Sequence, residues 1–92
     1  MALSPVVDLM QQYRDRLDAA ASQCPEAERT LYALHRNALG ELEEALARGS
    51  RPEVLRILAT ERRAFGWSFL SGTAGGEVEG AFASLATELK RT

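Results

Sequence analysis

The chain has 92 residues and a net charge of -2, and 46% of its residues are hydrophobic and 26% charged. This composition is ordinary for a globular protein, and we expect a single domain over residues 1–92. The nearly neutral charge gives no general attraction to nucleic acid or to anionic membranes. The single cysteine excludes an internal disulfide framework.

Neither end of the sequence indicates membrane insertion or export. The N-terminus lacks a basic region and reaches Asp8 too soon for a signal peptide. No apolar run approaches the roughly 20 residues that span a bilayer. We therefore expect a soluble, cytoplasmic protein with no membrane partner. Arginine far outnumbers lysine, which we interpret as the codon bias of a GC-rich bacterial genome.

The first predicted helix begins at Ser4 and Pro5, which suit the N-cap and the first helical position. It should end near Ser22 and Gln23, because the residue before Pro25 is disfavoured in a helix. Apolar residues recur at helical spacing on one face, namely Val6, Leu9, Met10, Tyr13, Leu17 and Ala20.

The second predicted helix begins at Pro25, and Gly49 is its natural stop. Its predicted inward stripe consists of Ala27, Leu31, Leu34, His35, Ala38, Leu42 and Ala45, with Leu39 and Leu46 beside it.

The third predicted helix begins at Ser50, with Pro52 and Glu53 in its first turn as in a capping box. Its inward stripe consists of Val54, Ile57, Leu58, Glu61, Phe65 and Phe69. The glycine-rich segment 72–76 should end this helix, and residues 71–76 should be the most mobile connection of the chain. The fourth predicted helix runs from about Glu77, with Val78, Ala81, Phe82, Leu85 and Leu89 inward.

Four helices with three short connections predict an all-α fold, a four-helix antiparallel bundle with up-down-up-down topology. Residues 65–70 are the ambiguous part of this pattern. As an extended segment, Phe65, Trp67 and Phe69 would share one face. As a helix, Phe65 and Phe69 face inward and Trp67 points away from the core. The helical interpretation is favoured, because the same face continues from Val54.

The helical interpretation makes Trp67 a candidate contact with a partner, together with Arg63 and Leu70. Aromatic residues outside the core are enriched at protein interfaces. The alternative is a bend after Gly66 that tucks the indole under residues 71–76.

Three polar residues, Tyr13, His35 and Glu61, fall near the centres of otherwise apolar stripes. Counted along their helices, they lie at similar heights in the bundle, within about one turn. We therefore predict a buried polar layer in which Glu61 pairs with His35, close to Tyr13. This layer is either a structural device that fixes the register of the helices or a proton-sensitive or ligand-binding pocket.

The sequence contains no enzyme motif, since it has one histidine, one cysteine and no nearby pair of nucleophile and base. We expect no catalytic residue, metal or cofactor, because bundle di-metal sites need several Glu and two Glu-x-x-His motifs. The favoured function is a protein-interaction module: a homodimer, an adaptor, or a small inhibitor or immunity-type protein. Two alternatives stay open, a nucleic-acid-associated regulator and a ligand- or metal-binding bundle that uses His35 and Glu61. Acidic residues interleave with the arginines, which disfavours nucleic acid.

Overall fold

The computed structural model describes residues 5–68, 70 and 72–91, with the backbone alone at positions 67 and 68. These residues form four α-helices: α1 Pro5–Gln23, α2 Glu26–Arg48, α3 Arg51–Ser68 and α4 Gly72–Arg91. No strand occurs in this part of the chain. The predicted all-α, four-helix class is therefore confirmed. The helical prediction for residues 65–70 is confirmed for 65–68, whereas Leu70 lies beyond the end of α3 and Phe69 is outside the described residues. None of the described helices is long and apolar enough to cross a membrane.

The turn between α2 and α3 is determined by Gly49. This residue has a φ of 69°, in the left-handed region that favours glycine. Its N–H donates to the Leu46 carbonyl at 3.1 Å, and the Ser50 N–H donates to the Ala45 carbonyl at 3.0 Å. These two bonds form a Schellman motif, which satisfies carbonyls at the end of α2. Gly49 thus ends the helix where the sequence predicted.

The predicted glycine-rich loop at 72–76 is wrong, because α4 begins at Gly72 and not near Glu77. Gly72 has a φ of 75°, which lets the chain turn sharply into the helix. Gly75 is buried against the preceding connection: a Cβ added there would lie 2.6 Å from the Leu70 carbonyl oxygen. Glycine is needed at Gly72 for the turn into α4 and at Gly75 for the close approach within its first turn.

The helices share one core, in which α1 and α3 each pack beside α2 and α4. The inward stripes predicted for α1, α3 and α4 are buried or half-buried in the described residues, while Phe69 lies outside them. The buried apolar residues are Tyr13, Leu17, Ala20, Tyr32, Leu39, Leu42, Ala45, Val54, Ile57, Leu58, Val78, Phe82, Leu85, Ala86 and Leu89.

The inward face predicted for α2 is partly wrong. Leu34 is 55% exposed, whereas Tyr32 and Leu39 are buried. The true face is therefore rotated about the helix axis, towards α1. Tyr32 explains the difference, because its large ring is buried beside Leu17 and Ala21 of α1. Burying an aromatic ring removes far more apolar area from water than burying an alanine on the predicted face.

Candidate functional site

Three polar side chains meet inside the bundle, one each from α1, α2 and α3. His35 Nδ1 lies 2.7 Å from Glu61 Oε2, and Tyr13 Oη lies 3.4 Å from the same oxygen. The exposed fractions are only 1% for Tyr13, 2% for His35 and 8% for Glu61. The structure thus brings together the three residues that the sequence placed at the centres of their stripes. We call Tyr13, His35 and Glu61 the polar layer.

The hydrogen bonds of the polar layer converge on one carboxylate oxygen. The Tyr13 hydroxyl donates to Glu61 Oε2, which also lies within hydrogen-bond distance of His35 Nδ1. A carboxylate only accepts, so towards an ionised Glu61 the imidazole presents a hydrogen on Nδ1. Every fully buried side-chain nitrogen and oxygen of the described residues has a hydrogen-bond partner. Burial of Glu61 is therefore compensated, since a buried carboxylate is strongly destabilising only when it lacks partners.

Two phenylalanines form an aromatic wall beside the polar layer. The Phe65 ring stacks on the His35 imidazole, with centroids 4.1 Å apart and planes inclined by 9°. Phe82 of α4 contacts Phe65 at 5.0 Å and Tyr13 at 5.7 Å between centroids. All four helices therefore contribute to this level of the bundle. The sequence predicted both phenylalanines as inward, and the spacing of four from Glu61 to Phe65 was the available signal of their contact with the layer.

The surroundings of Tyr13 keep its hydroxyl protonated. Burial raises the pKa of Tyr13 far above its ordinary value, and the charge of Glu61 and the hydrogen bond to it raise the pKa further. A tyrosine normally titrates near about pH 10. The hydroxyl of Tyr13 is therefore a permanent hydrogen-bond donor to Glu61 at neutral pH.

Five surface cavities lie along the bundle, and none of these five is lined by His35 or Glu61. One of them, of ≈ 290 Å³ between α3 and α4, is lined by Phe65 and Phe82. Within the described ranges, no group of three or more His, Cys, Asp or Glu residues could hold a metal ion.

The three residues predicted to contact a partner have different surroundings. Arg63 is exposed on α3. Leu70 is half-buried and packs against the core, with its backbone under Gly75. Trp67 belongs to α3, but its side chain lies outside the described part of the chain, so its predicted contact stays a prediction.

A second site lies on the surface, in a groove between α1 and α2. The groove has a volume of ≈ 410 Å³. We call it the α1–α2 groove, and it is lined by Val6, Val7, Met10, Gln11, Arg14, Glu43, Leu46 and Ala47. Val7 is 57% exposed, while Val6, Met10 and Leu46 are half-buried. Arg14 forms an ion pair with Glu43 across the groove.

The sequence did not predict this groove, because we assigned one inward stripe to each helix. We assigned Val6 and Met10 to the stripe of α1 and gave no role to Val7 or Ala47. The signal was the adjacent apolar pairs, Val6–Val7 on α1 and Leu46–Ala47 on α2. An adjacent pair extends the apolar arc by about 100° around the helix, beyond what one core contact covers.

No protein-family model, curated protein or solved structure matches this chain. Function must accordingly be inferred from the polar layer and the groove themselves.

Proposed function

We propose that this chain is a small helical protein-interaction module without catalytic activity of its own. The observation that carries the proposal is the α1–α2 groove, where Val7 is 57% exposed next to half-buried apolar side chains. Apolar side chains that line a surface groove bury further area when a partner occupies it, which supports an interaction there. A homodimer, an adaptor or a small inhibitor could each use such a groove.

We also propose the antiparallel up-down-up-down topology for the bundle. The cross-helix contacts support it, because residue numbers that rise along one helix fall along its neighbour. On the α1–α2 seam, Arg14 pairs with Glu43 and Asp18 pairs with Arg36. The α1–α4 seam has the same order in the pairs Tyr13–Phe82 and Arg16–Glu77. In this topology the groove joins the first half of α1 to the last half of α2.

The role we propose for the polar layer is to fix the register of the helices. Each partner lies on a different helix, and sliding α2 or α3 by one turn would move His35 and Glu61 apart by about 5 Å. Such a slip would leave a buried carboxylate without its main partner. A polar contact inside an apolar core therefore disfavours shifted packings, at some expense in stability.

Two other proposals have weaker support. The surface around Arg63, with Trp67 and Leu70, is a second candidate for a protein contact, since Arg63 is exposed. A nucleic-acid-associated regulator would need free arginines on one face. Half of the arginines instead pair with carboxylates, namely Arg14, Arg16, Arg36, Arg56 and Arg91.

For location, we propose the cytoplasm of a bacterium. The single cysteine, Cys24, donates from Sγ to the Ala21 carbonyl at 3.4 Å. A lone thiol suits a reducing compartment.

Site-specific photo-crosslinking in cells tests the proposed function. A photoreactive side chain is introduced at position 7, in the groove, and separately at position 55, where Leu55 is 37% exposed on α3. We expect a discrete protein product from position 7 and none from position 55. A product with the mass of two copies would identify a homodimer. The absence of any protein product from position 7 would contradict the groove as an interaction site, and position 63 tests the second surface in the same way.

A further inference from the structure

A cavity of ≈ 320 Å³ lies at the end of the bundle where α1 ends and where α2 and α4 begin. Sites for small molecules start at about 300 Å³, so this cavity is large enough for a compact ligand. We call it the Cys24 cavity, and the lining residues that matter for its chemistry are Cys24, Pro25, Tyr32, Gly72, Thr73 and Ala74. They bring a thiol, a phenol and the starts of two helices to one place.

Tyr32 contributes a hydroxyl that lacks a hydrogen-bond partner. The residue is only 3% exposed, and its hydroxyl makes no hydrogen bond within residues 5–68, 70 and 72–91. Every fully buried side-chain oxygen in that part of the chain has a partner, so this hydroxyl reaches the wall of a cavity. Long side chains lean towards the N-terminus of their helix, which directs the ring towards the start of α2. The pKa of Tyr32 is raised by burial and then by Glu28 and Cys24, which agrees with a hydroxyl on the Cys24 side.

The thiol of Cys24 lies on the wall of the same cavity. Cys24 is half-buried, and its Sγ donates a long bond of 3.4 Å to the Ala21 carbonyl. A thiol is a weak donor, so little is lost when this contact is given up. Since the chain has no second cysteine, Cys24 can form a disulfide only with another molecule. A group attached to Sγ would occupy the cavity beside the Tyr32 hydroxyl.

The starts of α2 and α4 supply further hydrogen-bond donors. Pro25 is the N-cap of α2 and makes no side-chain cap hydrogen bond, and Gly72 is the first residue of α4. The first N–H groups of a helix lack acceptors within it, and the helix dipole is positive there, so both ends favour a carboxylate. Glu26 and Glu28 lie in the first turn of α2 and oppose a free anion. A carboxylate therefore needs a second attachment, which the thiol provides.

We propose that Cys24 forms a mixed disulfide with a low-molecular-weight thiol that carries a carboxylate, and that the attached group lies in the Cys24 cavity with Tyr32 as a hydrogen-bond donor. The Cys24 thiolate attacks one sulfur of the small disulfide RSSR, so that a new Sγ–S bond forms and the S–S bond breaks. The second half leaves as a thiolate and takes up the proton that Cys24 lost to solvent. One disulfide is consumed and one is formed, so the step needs no further oxidant. This site is separate from the α1–α2 groove and adds to the proposed interaction function.

Two small disulfides, cystine and cystamine, test the proposal, because they differ only in the carboxylate. The chain is equilibrated with each disulfide and its free thiol at known ratios, and the fraction of modified chain is measured by intact-mass spectrometry. The same measurement in urea gives the reference for an unfolded chain. We expect the cysteine adduct to be favoured at least about tenfold in the folded over the unfolded chain, which corresponds to about 1.4 kcal/mol. The cysteamine adduct should show no such gain.

Variants of the chain locate the site. Tyr32→Phe keeps the ring and should lower the gain for the cysteine adduct by about threefold or more, as expected for one lost hydrogen bond. Cys24→Ser should form no adduct. Ala59→Cys in the Cys24→Ser background places a thiol at an exposed position of α3, and its folded and unfolded chains should react alike.

The proposal is overturned if Cys24 shows the same equilibrium in the folded and the unfolded chain, since the thiol would then be merely accessible. An equal or larger gain for cysteamine would exclude recognition of the carboxylate. Because a modification favoured by the folded chain must stabilise it, the cysteine adduct should also raise the free energy of unfolding. A lower stability of the modified chain would show that the cavity does not hold the attached group.

Discussion

The polar layer buries polar side chains, whereas the α1–α2 groove exposes apolar ones. In the layer, Tyr13, His35 and Glu61 are buried, and their polar atoms are joined by hydrogen bonds. In the groove, Val7 is mostly exposed, and no described side chain covers it. The buried polar groups have partners within the chain. The exposed apolar groups of the groove are where we propose contact with another molecule.

The largest effect that we expect comes from removing one partner of the buried pair. His35→Leu leaves the Glu61 carboxylate buried with only the long hydrogen bond from Tyr13. Breaking a buried pair from one side typically costs about 3–5 kcal/mol, out of a total stability of about 5–15 kcal/mol for a domain. Urea unfolding followed by circular dichroism measures the loss.

The double variant His35→Leu with Glu61→Met is the matched control. It removes the charge together with its partner and keeps the volumes similar, so it should be more stable than His35→Leu alone. Glu61→Gln removes the charge and keeps the size of the side chain, so it separates the effect of the charge on stability from that of the shape. If the effects of the two single changes simply add in the double variant, the layer is not a coupled pair.

A smaller effect tests the close approach at the start of α4. Gly75→Ala would place a methyl group 2.6 Å from the Leu70 carbonyl oxygen, and we expect it to lower the stability by about 1–3 kcal/mol. Gly76→Ala meets open space one residue further along the same helix. It should raise the stability by up to about 1 kcal/mol, because alanine favours helix over glycine. Thermal unfolding of both variants decides the point, and equal shifts would refute the contact.

The alkaline limb of stability tests the environment of Tyr13. An unfolded tyrosine loses its proton near about pH 10, whereas folded Tyr13 keeps it because burial and Glu61 raise its pKa. The stabilising contribution is thus fully present below about pH 10 and is lost as the pH rises further. There the unfolded chain binds fewer protons, so the free energy of unfolding should fall by about 1.4 kcal/mol per pH unit from this residue.

Tyr13→Phe should remove this part of the pH dependence. Tyr32→Phe is the control, since it leaves Tyr13 in place and should retain the fall. The pKa of Tyr32 is also raised, by burial and then by the nearby Glu28 and Cys24. Tyr32→Phe therefore removes only the part of the pH dependence that Tyr32 itself causes. Urea unfolding in buffers below and above about pH 10 measures how steeply the free energy of unfolding falls with pH. An unchanged slope in Tyr13→Phe would contradict the buried, protonated phenol.

The sequence was sufficient for the helices and for three of the four inward faces, because helical periodicity and the signals of Pro25 and Gly49 are local. It was insufficient where one element determines the conformation of another. Gly75 is a glycine within a helix because the Leu70 backbone lies too close for a Cβ, whereas composition alone suggested a loop. Tyr32 faces inward because its ring packs beside α1. The inward face of α2 is therefore rotated relative to the predicted one, and Leu34 is exposed. The positions of Tyr13, His35 and Glu61 were predictable, since each interrupts an apolar stripe, whereas the stacking of Phe65 on His35 needed tertiary geometry.

We expect the smallest change in stability from a substitution in the groove. Making the same substitution in the core tests the difference between the two regions most directly. Val7→Ser removes an apolar side chain that is already 57% exposed, so the stability should change by no more than about 0.5 kcal/mol. Val78→Ser is the same chemical change at a residue with 0% exposure, where the lost burial and the new cavity should cost about 1–3 kcal/mol. Equilibrium unfolding of both variants separates the two roles. Val7 should matter for binding and not for folding, because its methyl groups gain full burial only when a partner is present. If Val7→Ser destabilised the chain as much as Val78→Ser does, the groove would be part of the core, and its open apolar surface would no longer support an interaction site.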